Sequence, residues 1–234
     1  MRIAAVADIH ADEHFAEFLR DLEVLPSVDL FLLAGDITER NDLDAFARVA
    51  REVRSRVRAP TYAIFGNNEY GTDHDRYRAA TDFPFLDDAA VDLDLGGRRV
   101  RLIGSTGCLD RPTWWQRTNL PGIWREYEER ARTLDRLLEG SSFRILLTHY
   151  PPTFATMGAE KEEWRPELGS RKLESILMRH LPDLVIHGHV HKGIPFAELQ
   201  REQKSLEDFA ERRTSVPVHN VAYPVTHSIT VLEV

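Results

Sequence analysis

The feature that most constrains the fold of this chain is an uninterrupted apolar run that ends abruptly in Gly-Asp. Residues Leu30 to Ala34 are all apolar, and Gly35 and Asp36 follow directly. An apolar run without alternation is typical of a strand buried on both faces, as in a parallel sheet covered by helices. Glycine lets the backbone turn tightly as it leaves the sheet. The pattern therefore predicts that Asp36 stands at the carboxyl end of a buried strand.

Extended and helical segments alternate along much of the chain. The predicted strands cover residues 3–7, 28–34, 62–65, 91–95, 100–103, 144–148, 183–186, 216–222 and 229–234. Apolar residues at helical spacing predict helices near residues 15–22, 43–56, 127–138 and 170–181. Strands that alternate with helices are typical of an α/β fold. Because 234 residues is an ordinary length for one such domain, we predict a single domain over residues 1–234.

Three segments depart from this rhythm. Residues 107–124 and 153–168 have no regular pattern, and loops of this length are often lids or binding loops. The tryptophans of the first segment, Trp114, Trp115 and Trp124, either belong to such a loop or pack over the core. Residues 197–213 are highly charged and are predicted to form a solvated helical insertion. The first segment or this helix could form an interface between copies of the chain, so a homo-oligomer is open.

The amino-acid composition bears on the partners and the cellular location of the protein. The formal net charge of -8 argues against a broad electrostatic grip on nucleic acid. Cys108 is the single cysteine, so neither an intramolecular disulfide nor a thiolate cluster can form. No apolar run approaches the roughly 20 residues of a membrane helix, and an early carboxylate at Asp8 argues against a signal peptide. We expect a cytoplasmic protein without a membrane partner.

Polar side chains follow five of the predicted strands where each strand ends. Ligands of open α/β sheets gather outside the carboxyl ends of strands, so these side chains are expected to form one site. Oxygen and imidazole donors suit manganese, iron, zinc or nickel. Taken singly, each motif is as well explained by a turn or a loop. His187 is interpreted as a buried core or supporting histidine. The candidate metal ligands are Asp8, His10, Asp36, Asn67, His149, His189 and His191.

The order of these motifs resembles that of the calcineurin-like metallophosphoesterase superfamily. The resemblance is carried by Asp8-x-His10, Gly35-Asp36, Gly66-Asn67-Asn68-Glu69, His149 and Gly188-His189-x-His191. The segment from Val216 to Val225 is also similar to the small prokaryotic phosphoesterases of that superfamily. The resemblance implies a four-layer α/β/β/α sandwich with a mixed double sheet and a two-metal site at one edge.

The resemblance also implies a role for each ligand. It places Asp8, His10 and His191 on one ion and Asn67, His149 and His189 on the other. Asp36 is the bridging ligand. The implied cofactors are two divalent transition-metal ions, with manganese expected first and iron, zinc or nickel as alternatives. Two ions roughly 3.5–4 Å apart can hold a bridging hydroxide that attacks phosphorus.

Asn68 departs from the best-known form of the pattern. Many members have histidine here, and that histidine is thought to protonate the leaving group or to bind the phosphate. An amide cannot transfer a proton in this way, so a general-acid contribution of roughly 10²–10⁴-fold is in doubt. Asp36, Asn67 and Asn68 are the predicted catalytic residues. Arg40 follows the bridging aspartate and is either a contact for substrate phosphate or a surface arginine.

These features predict a binuclear metal-dependent phosphoesterase that acts on a small phosphoester substrate. The resemblance favours phosphodiesters over phosphomonoesters. Two alternatives stay open. One is a non-catalytic scaffold on the same fold, as the retromer scaffold subunit of the superfamily is thought to be. The other is a metal-dependent nuclease, which the acidic balance of the chain disfavours.

Overall fold

The structure is a computed structural model that describes residues 1–140, 142–201 and 214–234. The strands of this part of the chain are β1 (Arg2–Val6), β2 (Leu30–Ala34), β3 (Thr61–Ile64), β4 (Ala89–Leu95), β5 (Arg98–Ser105), β6 (Phe143–Thr148), β7 (Leu184–His187), β8 (Phe196–Gln200), β9 (Ser215–Asn220) and β10 (Thr230–Glu233). The helices are α1 (Ala11–Val24), α2 (Leu43–Arg56), α3 (His74–Ala79), α4 (Trp114–Asn119), α5 (Ile123–Leu137), α6 (Arg171–His180) and α7 (Tyr223–Thr226). Short 3₁₀ segments cover Gly71–Asp73 and Glu162–Glu167.

The strands form two mixed sheets. One sheet has the order β10-β1-β2-β3, in which β1, β2 and β3 are parallel and β10 is antiparallel. The other has the order β4-β5-β6-β7-β9-β8, in which β5, β6, β7 and β9 are parallel and the two edge strands are antiparallel. The parallel strands of each sheet therefore deliver their carboxyl ends to one edge.

Three apolar clusters show that the sheets and helices stack in four layers. The first cluster lies between the four-stranded sheet and α1 and α2, the second lies between the two sheets, and the third lies between the six-stranded sheet and α5 and α6. Strand β2 contributes to two of them, because Phe31 and Leu33 face the helices while Leu30 and Leu32 face the other sheet. The predicted double burial of this strand and the predicted α/β/β/α sandwich are both confirmed.

Local signals account for most element boundaries. Helix α2 has the predicted bounds, because the Asp42 side chain accepts a hydrogen bond from the backbone N–H of Ala45 at its start and Pro60 follows its end. The predicted hairpin is β4 and β5, and its turn residues Gly96 and Gly97 have φ values of 63° and 83°. Such a turn favours glycine at both central positions.

Two expectations from the sequence are wrong in detail. The helix predicted from residue 197 is strand β8 over Phe196–Gln200, paired antiparallel with β9. Phe196, Glu198 and Gln200 are exposed on one side of this strand while Leu199 is buried against the core on the other, so a short alternating segment follows the sheet rather than a helix. The predicted helix over residues 202–213 lies outside the described residues.

The second correction concerns the segment 107–124. It contains helix α4, whose capping box joins Thr113 and Gln116. Trp114, Trp115 and Trp124 are 70%, 56% and 53% exposed, so they do not pack over the core. The expectation that this segment and residues 153–168 act as lids stays a prediction. Within the described residues, no helix combines the length and the apolar character that crossing a bilayer requires.

Candidate metal centre

The candidate ligands meet at one edge of the sandwich. They follow β1, β2 and β3 of one sheet and β6 and β7 of the other. The potential ligand atoms within each of two groups lie within 4.8 Å of one another: Asp8, His10 and His191 form the first group, and Asp36, His149 and His189 form the second. Asn67 adjoins the second group, because its Oδ1 lies 3.1 Å from Nε2 of His149.

His149 connects the two sheets and presents a lone pair to the site. Its Nδ1 lies 3.1 Å from the carbonyl oxygen of Ala34, which can only accept, so Nδ1 carries the proton. In the neutral ring Nε2 is then an acceptor. It faces two further oxygens, Oδ1 of Asn67 at 3.1 Å and Oδ2 of Asp36 at 3.5 Å. A cation would compensate three acceptor atoms that converge in this way, so these residues fit a metal ion.

Asp8 links the two groups. Its Oδ1 lies 3.0 Å from Nε2 of His191 and 3.8 Å from Nε2 of His10. Its Oδ2 accepts a hydrogen bond of 2.8 Å from the backbone N–H of His189. Burial alone would raise the pKa of Asp8, but the hydrogen bond to His191 and the nearby imidazoles outweigh it and bring the pKa below its usual range.

The histidines differ in their readiness to bind a cation. Burial, together with the neighbouring His149, lowers the pKa of His189 to about 3, so this ring is neutral at pH 7. Its Nε2 is buried and has no hydrogen-bond partner among the described residues. A buried imidazole nitrogen without a partner fits a metal ligand. In contrast, the hydrogen bond to Asp8 raises the pKa of His191.

Asp36, a member of the second group, is buried and is held by Asn68. The backbone N–H of Asn68 donates a hydrogen bond of 2.8 Å to Oδ1 of Asp36, and its side-chain amide donates one of 2.8 Å to Oδ2. Burial and the nearby charge of Asp8 raise the pKa of Asp36 to about 7, against the effect of these hydrogen bonds and of His10. A cation close to Asp36 would favour its ionised form.

Four of the candidate ligands have left-handed backbone conformations, which non-glycine residues seldom adopt. The φ values are 53° for Asp8, 39° for His10, 48° for Asp36 and 72° for His189. Such conformations cost of order 1–3 kcal/mol each and persist where the surrounding structure imposes them, often at functional sites.

Two motif glycines make room for the ligands. A β-carbon on Gly35, whose φ is 85°, would lie 2.8 Å from Nδ1 of His149 and from the backbone of Gly66. A β-carbon on Gly188 would collide with Oδ2 of Asp8. The conformation of Gly35 agrees with the predicted tight turn after β2. Both glycines allow the loops of the two sheets to approach closely.

The geometry agrees with a family comparison. A family model described as calcineurin-like phosphoesterase matches residues 1–193. The chain belongs to the calcineurin-like phosphoesterase family. The resemblance inferred from the motifs is thereby confirmed.

The chain is also similar to a curated protein. The chain is 24% identical to the 3',5'-cyclic adenosine monophosphate phosphodiesterase CpdA of Pseudomonas aeruginosa, over 82% of this chain and 62% of that protein. It therefore spans less than two thirds of the length of that relative.

Two solved structures share the fold. Phosphopantetheinyl hydrolase from Mycobacterium tuberculosis superposes with a TM-score of 0.65 at 16% identity, covering 94% of this chain and 88% of that one. A purple acid phosphatase from yellow lupin, Lupinus luteus, superposes with a TM-score of 0.57 at 13% identity, covering 100% of this chain and 46% of that one.

Asn68, a predicted catalytic residue, and Arg40, a predicted phosphate contact, are joined to each other by a hydrogen bond. Asn68 is bound to Asp36, and its Oδ1 accepts the backbone N–H of Arg40 at 3.3 Å. The Arg40 side chain is 87% exposed and lies 3.9 Å from the carboxylate of Glu39. A contact of Arg40 with substrate stays a prediction.

Sequence reasoning named Glu69 as part of a motif but assigned it no role. This carboxylate is buried, and its two oxygens accept hydrogen bonds of 2.8–3.2 Å from the backbone N–H groups of Asp36, Ile37, Thr38 and Gly66. Burial and the charge of Asp36 raise the pKa of Glu69 to about 7, while its hydrogen bonds oppose the shift. Glu69 joins the loops after β2 and β3. The sequence offered no signal for this, since an acidic residue in a polar loop is usually exposed.

Two further buried residues support the histidines. Tyr150 lies edge-on to His189 with ring centroids 4.8 Å apart, and its hydroxyl accepts a hydrogen bond from Gln116 of α4. His187 is fully buried, which confirms its interpretation as a core or supporting histidine. Burial lowers the pKa of His187 to about 4, so the ring is neutral at pH 7.

Replacing Glu69 with glutamine should destabilise the metal-free protein by about 3 kcal/mol, because an amide nitrogen cannot accept the N–H groups that one carboxylate oxygen now satisfies. Urea unfolding followed by circular dichroism measures this. The matched control is Glu129→Gln, which removes an exposed ion pair with Arg125 and should change stability by less than about 0.5 kcal/mol. Equal stabilities for the two variants would contradict this role of Glu69.

Proposed function

We propose that this chain is a phosphoester hydrolase that works with two divalent transition-metal ions and prefers phosphodiesters. The observation that carries the proposal is the pair of adjoining ligand groups, in which carboxylate, amide and imidazole groups converge at one edge of the sandwich. Such donors suit manganese, iron, zinc or nickel, and manganese is the first ion to test.

The two groups divide the candidate ligands between two ions. Asp8, His10 and His191 would hold one ion, and His149, His189 and Asn67 would hold the other. Asp36 would bridge them. When bound, the ions would supply Lewis-acid stabilisation of the phosphoryl oxygens and activation of water.

The residues of the chain have complementary tasks in this proposal. Asp36 is buried and oriented by Asn68, so its two oxygens point in fixed directions. Asn67 contributes a neutral oxygen, which limits the negative charge around an incoming phosphate. The backbone N–H of Arg40 is bound to Asn68, and its guanidinium is exposed, so its planar fork could pair with two phosphate oxygens.

The preference for diesters rests on two supports. The curated relative that the chain matches is named a 3',5'-cyclic adenosine monophosphate phosphodiesterase, and a cyclic nucleotide is a phosphodiester. The side chain at position 68 is an amide already bound to Asp36, which leaves no imidazole there to protonate a poor leaving group.

Metal-loaded protein should cleave bis-p-nitrophenyl phosphate faster than p-nitrophenyl phosphate. Asp36→Asn should reduce both rates by at least about 10²-fold, because it removes a charge that both ions share. The surface change Asp75→Asn alters a 99% exposed carboxylate that pairs with Arg78, and its rates should equal those of the native protein. The panel should include cyclic nucleotides and single- and double-stranded DNA.

The outcomes separate the alternatives. Absence of bound metal and of turnover on every phosphoester would favour a binding or scaffold protein on this fold. Turnover of DNA alone would favour a nuclease. A faster monoester than diester reaction would contradict the proposed preference.

Replacing Asn68 with histidine should raise turnover of substrates with poor leaving groups by up to about 10²-fold, and should change activated aryl esters much less, because it supplies a proton donor. The measurement is the dependence of kcat on the leaving-group pKa. Asn68→Ala is the control, since it removes the hydrogen bond to Asp36 without supplying an acid and should lower all rates. An unchanged leaving-group dependence in Asn68→His would count against this account.

Protons should compete with metal at His191. The hydrogen bond to Asp8 raises the pKa of this imidazole in the metal-free protein, so it stays protonated to higher pH than an ordinary histidine, and a ligand must be neutral. Affinity for Mn²⁺ should therefore rise from about pH 6 to about pH 8. Titration calorimetry in buffers of different ionisation enthalpy counts the protons released, and His191→Gln should release fewer. Equal proton release by both proteins would refute the assignment.

A further inference from the structure

We infer that His187 is a positioning residue for the metal centre, and that Thr156 holds His187 in place. The inference rests on the proposed function, because it concerns how the candidate ligands are oriented. It assigns a task to a fully buried imidazole that is not itself a ligand and to a threonine from the irregular segment 153–168.

The hydrogen bonds of His187 define where its proton sits. Its Nδ1 lies 2.8 Å from the carbonyl oxygen of Gly188, and its Nε2 lies 2.9 Å from the hydroxyl of Thr156. A carbonyl can only accept, so Nδ1 carries the proton. In the neutral ring Nε2 then accepts from the Thr156 hydroxyl. Both nitrogens are satisfied only in this tautomer.

The carbonyl of Gly188 belongs to the same peptide unit as the N–H of His189. That N–H donates a 2.8 Å hydrogen bond to Oδ2 of Asp8. The peptide is therefore held at its oxygen by His187 and at its nitrogen by a candidate ligand of the first ion. The orientation of this peptide influences both ligand groups. It sets the left-handed backbone of His189, whose φ is 72°, in the second group. It also occupies Oδ2 of Asp8, so that Oδ1 faces His191 in the first group.

Thr156 is well placed to fix the ring. Its side chain is fully buried, and its carbonyl accepts a hydrogen bond of 2.8 Å from the N–H of Ile194. Thr156 thus contacts both the last residue of β7 and the chain segment that follows β7. Residues that orient metal ligands through hydrogen bonds, without binding the metal themselves, commonly change metal affinity by 10–100-fold when they are removed.

The test is titration calorimetry of the metal-stripped protein with Mn²⁺, with folding checked by circular dichroism. His187→Leu removes both hydrogen bonds and should weaken Mn²⁺ binding by about 10-fold or more. His187→Asn keeps an amide N–H close to the position of Nδ1 and should bind more tightly than His187→Leu. Thr156→Val should weaken binding, and Thr156→Ser should restore it. Equal affinity of the native protein and His187→Leu would overturn the inference.

A matched control separates positioning from packing. Thr153 lies in the same segment and is equally buried, but its hydroxyl donates a hydrogen bond to Glu174 of α6, whereas that of Thr156 contacts His187. Thr153→Val should therefore retain native affinity for Mn²⁺ even if its thermal stability falls. Equal losses of affinity in Thr153→Val and Thr156→Val would show that packing alone is responsible.

A second measurement does not need a bound ion. Long-range proton–nitrogen NMR spectra of the metal-free protein should show His187 neutral with its proton on Nδ1, and a proton on Nε2 would overturn the inference. Failure of the native protein to bind Mn²⁺ would instead overturn the proposed metal centre. Native binding together with unchanged His187 variants would overturn the positioning role alone.

Discussion

The arrangement of the site depends most on the hydrogen bonds that the buried carboxylate of Glu69 accepts. This carboxylate accepts hydrogen bonds from backbone N–H groups in the loop after β2 and in the loop after β3. Those loops carry Asp36 and Asn67, which would serve the two proposed ions together. Leaving such N–H groups buried without acceptors would cost about 1–3 kcal/mol each, so the two loops are stable in this form only while they stay joined. A residue that need not touch an ion thereby determines where two candidate ligands stand.

Hydrogen bonds between loops also maintain the backbone conformation of the site. Asp8, His10, Asp36 and His189 are held in left-handed turns that are unfavourable in isolation, and hydrogen bonds between loops of both sheets maintain them. His149 reaches from the second sheet to the carbonyl of Ala34 in the first, and Asp8 accepts from the N–H of His189. The result is a cluster of carboxylate and imidazole groups, most of them buried, whose negative charge is costly to bury without a compensating positive charge. The proposed cations would supply that charge.

Most of the elements could be predicted from local pattern, and the failures have identifiable causes. The strand β2, the helix α2 and the hairpin of β4 and β5 have strong periodicity or turn signals, so local preference and tertiary structure agree there. Residues 197–200 are wrongly predicted as helix because charged residues dominate the segment to which they belong, whereas pairing with β9 decides their structure. The exposure of Trp114 and Trp115 was equally undecidable, because aromatic residues in an irregular segment suit a core and a surface alike.

The sequence by itself determined which side chains stand where the strands end, since a buried strand, a glycine turn and a polar residue are all local features. That was enough to predict an α/β fold and the set of candidate ligands, and the four-layer sandwich and the family followed from the resemblance that the order of these motifs carries. Only the tertiary structure decided how those side chains face one another: that Asn68 is bound to Asp36, that Glu69 is buried, and that His187 holds the peptide beside Asp8. The physical reason is that hydrogen-bond partners far apart in the chain are chosen by the packing of two sheets, which no local pattern encodes.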